Sequence, residues 1–234
     1  MQIASSPARA ASGALPTLEE LPGIAARLDA APASEILQWA ASTYGSGLVF
    51  TASFEDPVLI DLVAQHAPGT PVVLLDTQYH FAETLWYAEE LRRRYDLPLQ
   101  VVAPDPAVVP DNLWQTDVAT CCNVRKVEPL ARALAGNDAW ITGIRRVDAP
   151  TRANAPVVQY DVARSIVKVN PVVAWSDDDV ERYIVERELP RHPLTERGYP
   201  SIGCWPCTRP VAPGEDRRAG RWAGLDKTEC GLHT

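Results

Sequence analysis

The chain has 234 residues, with 22 Lys+Arg against 30 Asp+Glu, a net charge of −8 and 46% hydrophobic residues. That length suits one large domain or two small ones with a real core, and the composition excludes wholesale disorder. No apolar run approaches the roughly 20 residues that cross a bilayer, and an acidic chain without a basic stripe is a poor nucleic-acid binder, so neither a membrane nor a nucleic acid is expected as a partner.

The opening residues 1–16 lack the apolar segment of a secretory signal and read as a ragged tail, which leads us to expect a cytoplasmic protein. Residues 1–46 are predicted to be a peripheral helical extension: Thr17 with Glu20 resembles a capping box, and a second short helix starts at Ser34. A repeating pattern follows. Gly47 to Ala52, Pro71 to Leu75 and Leu99 to Val102 are short, unalternating apolar strands. Between them lie a helix from Val58 to His66, opened by Asp56-Pro57, and an amphipathic helix from Phe81 to Tyr95 ending in three arginines.

After a Pro/Asp loop (104–112), a helix is predicted over Asn123 to Ala135 and a strand over Ala139 to Thr142. A hairpin over 157–169 and a Ser176-capped helix through Glu188 come next, and regular structure thins out beyond Leu189. This order predicts an α/β fold: a mostly parallel sheet with helices on both faces and a loop-rich C-terminal region. Ligands in such sheets bind beyond the carboxyl ends of the strands. Ser53-Phe54, Asp76-Thr77 and Gly143 to Arg146 stand there, so a nucleotide or phosphorylated ligand is a first expectation.

Five cysteines are too few for a disulfide scaffold, and their number is odd. Cys121 and Cys122 are adjacent, Cys204 and Cys207 form a C-x-x-C, and Cys230 stands apart. Two pairs can converge on a Cys₄ site for zinc or an iron–sulfur cluster. Adjacent cysteines fit the spacing of zinc ligands poorly, which favours a [4Fe–4S] cluster. Buried cysteines beside a redox dithiol are the plainer alternative. Cys230, near Lys227 and His233, has neighbours that favour a thiolate nucleophile, although an incidental tail cysteine would look the same. Candidate anion-binding cations are Lys126, Arg145, Arg146, Arg152, Arg217, Arg218 and Arg221, with Arg209 less clear. His66 reads as a helix-end residue, and His80 and His192 give no clear signal.

Five segments then meet in one pattern: Cys121-Cys122-x-x-Arg125-Lys126, Ile141 to Arg146, Lys168 to Pro171, Gly198 to Arg209, and Glu229-Cys230-Gly231-Leu232-His233. Together they resemble the assimilatory adenylyl-sulfate (APS) reductases, the iron–sulfur branch of the APS/PAPS reductase family, from about Leu48 onward. The resemblance implies an adenine-nucleotide α-hydrolase-like fold over residues 47–234, with a mobile tail from about 210. It implies that Cys230 attacks the sulfate sulfur of APS and that thioredoxin then releases sulfite from an S-sulfocysteine, in sulfate assimilation and cysteine biosynthesis. It places Lys126, Arg218, Arg221 and His233 around the sulfate, Arg152 on the phosphosulfate, and Ser53 and Leu75 at the adenosine. It makes Cys121, Cys122, Cys204 and Cys207 ligands of a [4Fe–4S] cluster that tunes the site through Lys126. A homo-oligomer is compatible with it.

The chain departs from the family pattern in places. The first loop, Ser53-Phe54-Glu55-Asp56, is two residues short and lacks a Gly; Leu75-Asp76-Thr77-Gln78 loses another Gly; and Thr195 stands where a His is usual. The shorter loop is expected to change the floor of the nucleotide pocket. Other readings are preference for, or shared use of, the 3′-phosphorylated nucleotide, and an iron–sulfur redox sensor that only binds a nucleotide. An RNA-modifying ATP-pyrophosphatase would need a pyrophosphate loop that Thr51 to Asp56 does not form.

Overall fold

Short runs of β-branched and apolar residues form the centre of the molecule as six strands: β1 (Leu48–Thr51), β2 (Val72–Leu75), β3 (Leu99–Val102), β4 (Ala139–Ile141), β5 (Val158–Asp161) and β6 (Ile166–Val169). This computed structural model describes residues 14–107, 112–224, 227 and 229–233; most of the ragged start and part of the Pro/Asp loop lie outside the described residues. The sheet order is β3-β2-β1-β4-β6-β5. Every neighbouring pair is parallel except the β5–β6 hairpin.

Because side chains alternate along a strand, Phe50, Leu74 and Ile141 face one side of the sheet while Val49, Val73 and Trp140 face the other. The first side is covered by α1 (Leu21–Leu28), α2 (Ala33–Tyr44), α3 (Val58–His66), α4 (Ala82–Tyr95) and α8 (Asp177–Glu186), through Leu28, Leu37, Ile60, Leu91 and Ile184. The second side is covered by Leu130 and Leu134 of α7 (Glu128–Leu134). The fold is therefore the expected mostly parallel sheet with helices on both faces.

Local capping follows the sequence. Asp56 Oδ1 accepts the Val58 N–H at 3.0 Å at the start of α3, and Ser176 and Asp179 form a capping box on α8. On the first face the buried Asp61 accepts hydrogen bonds from Tyr95, Tyr183, Arg187 and Gln65, tying α3 to α4 and α8.

Two expectations change. The helices α1 and α2 are not peripheral: Ile36, Leu37, Ala40 and Tyr44 are fully buried in the main core. Helical structure also begins well before Asn123. A short α5 (Leu113–Thr116) leads to Asp117, whose carboxylate accepts the Thr120 N–H and caps α6 (Val118–Cys122). A wider π-helical turn, Asn123–Val127, then joins α6 to α7. The adjacent cysteines thus close a capped helix and lead into an irregular turn, a feature that often marks a functional site.

Candidate active site

The chain leaves β1 towards β2 and β3 on one side and returns to β4 on the other, so the strand order switches between β1 and β4. A cavity of about 240 Å³ opens there, beyond the carboxyl ends of the strands. Ser53, Leu75, Lys126, Arg152, Arg218, Arg221, Cys230 and His233 all line it.

The tail reaches this cavity because several groups hold it. Glu229 accepts from Arg152 Nε and Nη2 at 2.7 and 2.6 Å, and the Gly231 carbonyl accepts from Arg164 at 3.1 Å. Leu232 packs on the second core, and the His233 ring stacks on Trp140. Burial, then repulsion from Lys168, Arg152, Arg164 and Arg218, holds the His233 pKa well below the ordinary histidine value. Burial and the four cations thus both favour the neutral ring over the charged one. Its buried Nδ1 has no hydrogen-bond partner among the described residues.

The cationic wall comes from the loop-rich C-terminal region. Arg221 donates to Ser201 Oγ and the Ile202 carbonyl and lies flat against Gly203, where a Cβ would come within 2.5 Å of its guanidinium. Only glycine permits that approach. Opposing these cations are Glu55, Asp56 and Asp148, also in the cavity wall. Glu55 keeps little surface and stands 3.7 Å from Arg217. Burial pushes its pKa up to about 7 against the lowering pull of Arg221. Arg218 is itself lowered, first by burial and then by Arg221.

Next to this cavity lies a second, smaller one lined by all four remaining cysteines: Cys121, Cys122, Cys204 and Cys207. Cys204 Sγ is 3.3 Å from Thr77 Oγ1. Burial, then the neighbouring cysteines, pushes the Cys121 thiol up to about 11, partly opposed by Arg125. Successive residues on a helix point about 100° apart, a poor spacing for two ligands of one small ion, although both cysteines line this cavity. Among the described residues, no group of three or more His, Cys, Asp or Glu could hold a metal ion. Lys126, Arg221 and Cys204 line both cavities. Burial would lower the Lys126 pKa, but Cys204, Cys230 and Cys122 outweigh it and raise it.

The other candidates divide between the cavity and the rest of the molecule. Arg145 and Arg217 line the cavity, bound to Asp148 and Asp177. Arg146 turns to Asp29, and Arg209 pairs with Glu215 at the surface. His66 ends α3, and His192 is buried against Thr84. His80 lines the cavity and bonds the Leu75 carbonyl. Thr77, expected at a strand end, does line the wall, whereas Glu55 and Asp148 were missed as wall residues.

Fold and cavity together define an α/β protein that brings a cysteine among lysine and arginine side chains at the switch point of its sheet. Residues 47–210 match the family described as the phosphoadenosine phosphosulfate reductase domain, and the chain belongs to that family. It is 48% identical to the adenosine 5'-phosphosulfate reductase of Mycobacteroides abscessus, over 89% of this chain and 91% of the relative. It is 44% identical to the enzyme of that name from Mycobacterium tuberculosis, over 93% and 95%. The solved phosphoadenylyl-sulfate reductase from Candida auris, a phosphate complex, superposes with a TM-score of 0.72 at 27% identity, covering 82% of this chain and 97% of that one. The Candida glabrata FMN adenylyltransferase shares the fold alone, with a TM-score of 0.57 at 16% identity, over 83% and 68%.

Proposed function

We propose that this protein reduces adenosine 5′-phosphosulfate to sulfite and AMP. One observation carries the reading: Cys230 shares a single cavity with Lys126, Arg152, Arg218, Arg221 and His233 at the switch point of the sheet. The names of the relatives agree with it.

In the first step the Cys230 thiolate attacks the sulfur of the sulfate group. An S–S bond forms, the sulfur–oxygen bond to the phosphate breaks, and AMP leaves with the electron pair. Thiolate and sulfate repel each other, and Lys126, Arg218 and Arg221 offset that repulsion and stabilise the charge that develops on the oxygens. His233 donates from its neutral ring. Arg152 holds the phosphosulfate while Ser53 and Leu75 bound the adenosine. In the second step one thiol of a dithiol protein, thioredoxin, attacks Cys230 Sγ and expels sulfite. Its second thiol resolves the mixed disulfide, so two electrons pass from the dithiol to sulfur and Cys230 returns free. Residues 210–234 are the segment that carries Cys230 between the two encounters.

Cys121, Cys122, Cys204 and Cys207 would hold a [4Fe–4S] cluster. Four thiols on one cavity, two of them on adjacent helix residues, favour a multi-iron group over a single ion. Such a group would supply charge beside Lys126 and stay outside the electron path.

The test is incubation with sulfur-labelled APS without reductant. The wild-type protein is expected to become labelled and Cys230→Ser not, with the brown colour kept in both. Label retained by Cys230→Ser would overturn the mechanism; a colourless, iron-free anaerobic preparation would overturn the cluster. Relative rates on the nucleotide with and without a 3′-phosphate decide substrate preference.

A further inference from the structure

The loop after β2 takes an uncommon backbone at Gln78, with φ +64°. An L side chain rarely adopts that conformation, and a strained residue persists where its surroundings hold it there. Gln78 also stands where the related pattern has glycine, the residue that would take this backbone freely. The backbone is held by its N–H donating to Asp76 Oδ1 at 2.8 Å, and the side chain makes a contact that glycine cannot supply.

Its contacts name the use. The Gln78 amide oxygen accepts from Arg125 Nη1 at 2.6 Å, and the Thr77 carbonyl accepts from the same nitrogen at 3.4 Å. The guanidinium lies 4.6 Å from the centre of the Tyr79 ring. Arg125 is 1% exposed, sits in the π-helical turn directly after Cys121 and Cys122, and lines the four-cysteine cavity. The same loop also touches the other cysteine pair: Thr77 Oγ1 meets Cys204 Sγ at 3.3 Å, and the Tyr79 carbonyl accepts the Trp205 N–H at 2.8 Å. Residues 77–79 thus join the cysteine helix, the C-x-x-C turn and the end of β2.

We infer that Gln78 is a positioning residue, held in a left-handed backbone so that its amide fixes the buried Arg125 guanidinium against the four-cysteine cavity. A fixed guanidinium beside the four cysteines limits the freedom of the wall that holds them. The inference rests on the proposed cluster for one of its two readouts.

Two variants separate the amide from the backbone. Gln78→Met keeps the length of the side chain and the left-handed position but has no acceptor; Gln78→Gly removes the acceptor and frees the backbone. In anaerobically purified protein, both are expected to lose visible cluster absorbance on exposure to air at least threefold faster than wild type. In metal-free protein, hydrogen exchange over residues 118–127 is expected to be at least threefold faster in both, with exchange in β1 and β4 unchanged. Equal cluster lifetimes in all three iron-loaded proteins would overturn the inference. So would a wild-type lifetime in Gln78→Gly alone, which would assign the effect to backbone strain. If the wild-type protein carries no iron, the cluster reading fails, and the exchange measurement decides for Gln78: unchanged protection in both variants overturns it.

Discussion

The His233 imidazole lies parallel to the Trp140 indole, with ring centroids 5.4 Å apart and planes inclined by 16°. Trp140 is fully buried on β4, fixed by its Nε1 donating to Thr51 Oγ1 at 2.7 Å. The tail is thus seated on a rigid ring, and the same histidine lines the cavity. His233→Phe keeps the stacking and loses the donor. We expect it to leave protease resistance of the tail near wild type while lowering the rate of Cys230 labelling by about 10²-fold, the usual cost of one donor to a developing oxyanion. His233→Ala should lose both. A His233→Phe variant with wild-type labelling would assign the histidine a packing role only.

The Arg152–Glu229 pair is the strongest polar hold on the tail, and both side chains are about one-tenth exposed. Breaking the pair leaves Arg152 with only the longer 3.5 Å contact to Asp148, at a cost of up to about 3 kcal/mol. Glu229→Gln is expected to speed limited proteolysis between residues 210 and 234 several-fold without changing the urea midpoint of the main domain. An unchanged cleavage rate would show that Leu232 and His233 hold the tail without the pair.

Glu55 gives the site a pH dependence. Burial raises its pKa to about 7, against opposing pulls from Arg221 and Arg218 and added repulsion from Asp56 and Asp148. The sign follows from charge. Below about pH 7 the carboxyl is protonated and an anionic nucleotide meets only the cations; above it, a carboxylate competes for them. Folding stability moves the same way, lost as pH rises from the ordinary glutamate value through about 7. We expect APS affinity, measured on Cys230→Ser so that no turnover occurs, to weaken by about tenfold between about pH 6 and about pH 8, one pKa unit of coupling. Glu55→Gln should flatten that step, and a step that survives in Glu55→Gln belongs to another group.

Asp61 supplies a control far from the chemistry. It accepts from two tyrosine hydroxyls and from Arg187, at 2.9, 2.7 and 2.8 Å, linking α3 to α4 and α8. Asp61→Asn replaces one acceptor by a donor that faces other donors. A loss of about 1–3 kcal/mol in urea unfolding is expected, with the rate of Cys230 labelling retained.

The sheet was legible because its strands are unalternating apolar runs punctuated by Gly, Pro and Asp, and two-sided burial leaves that mark on a sequence. The cysteine helix was not. Its first turn depends on one side chain, Asp117, reaching the Thr120 N–H, and its π-helical turn has no periodicity to read. The N-terminal helices looked peripheral because their apolar faces are short; their burial depends on the far surface of the sheet. For the site, the cationic motifs pointed to the right wall, and all eight named lining residues meet there. Glu55 and Asp148 escaped because a carboxylate in an anion pocket runs against the simplest charge argument. The state of His233 could not be read either, since its lowered pKa comes first from burial and then from four cations, and both arise only on folding.

Lys126 and Arg221 belong to the walls of two chambers at once. Any charge placed in one chamber is therefore felt through the same two side chains in the other. Linkage makes this reciprocal: if filling the cysteine chamber alters nucleotide affinity by some factor, the nucleotide alters the hold on that filling by the same factor. If the proposed cluster fills that chamber, nucleotide affinity should differ between the iron-loaded and the iron-free protein, with Cys204 lining both chambers.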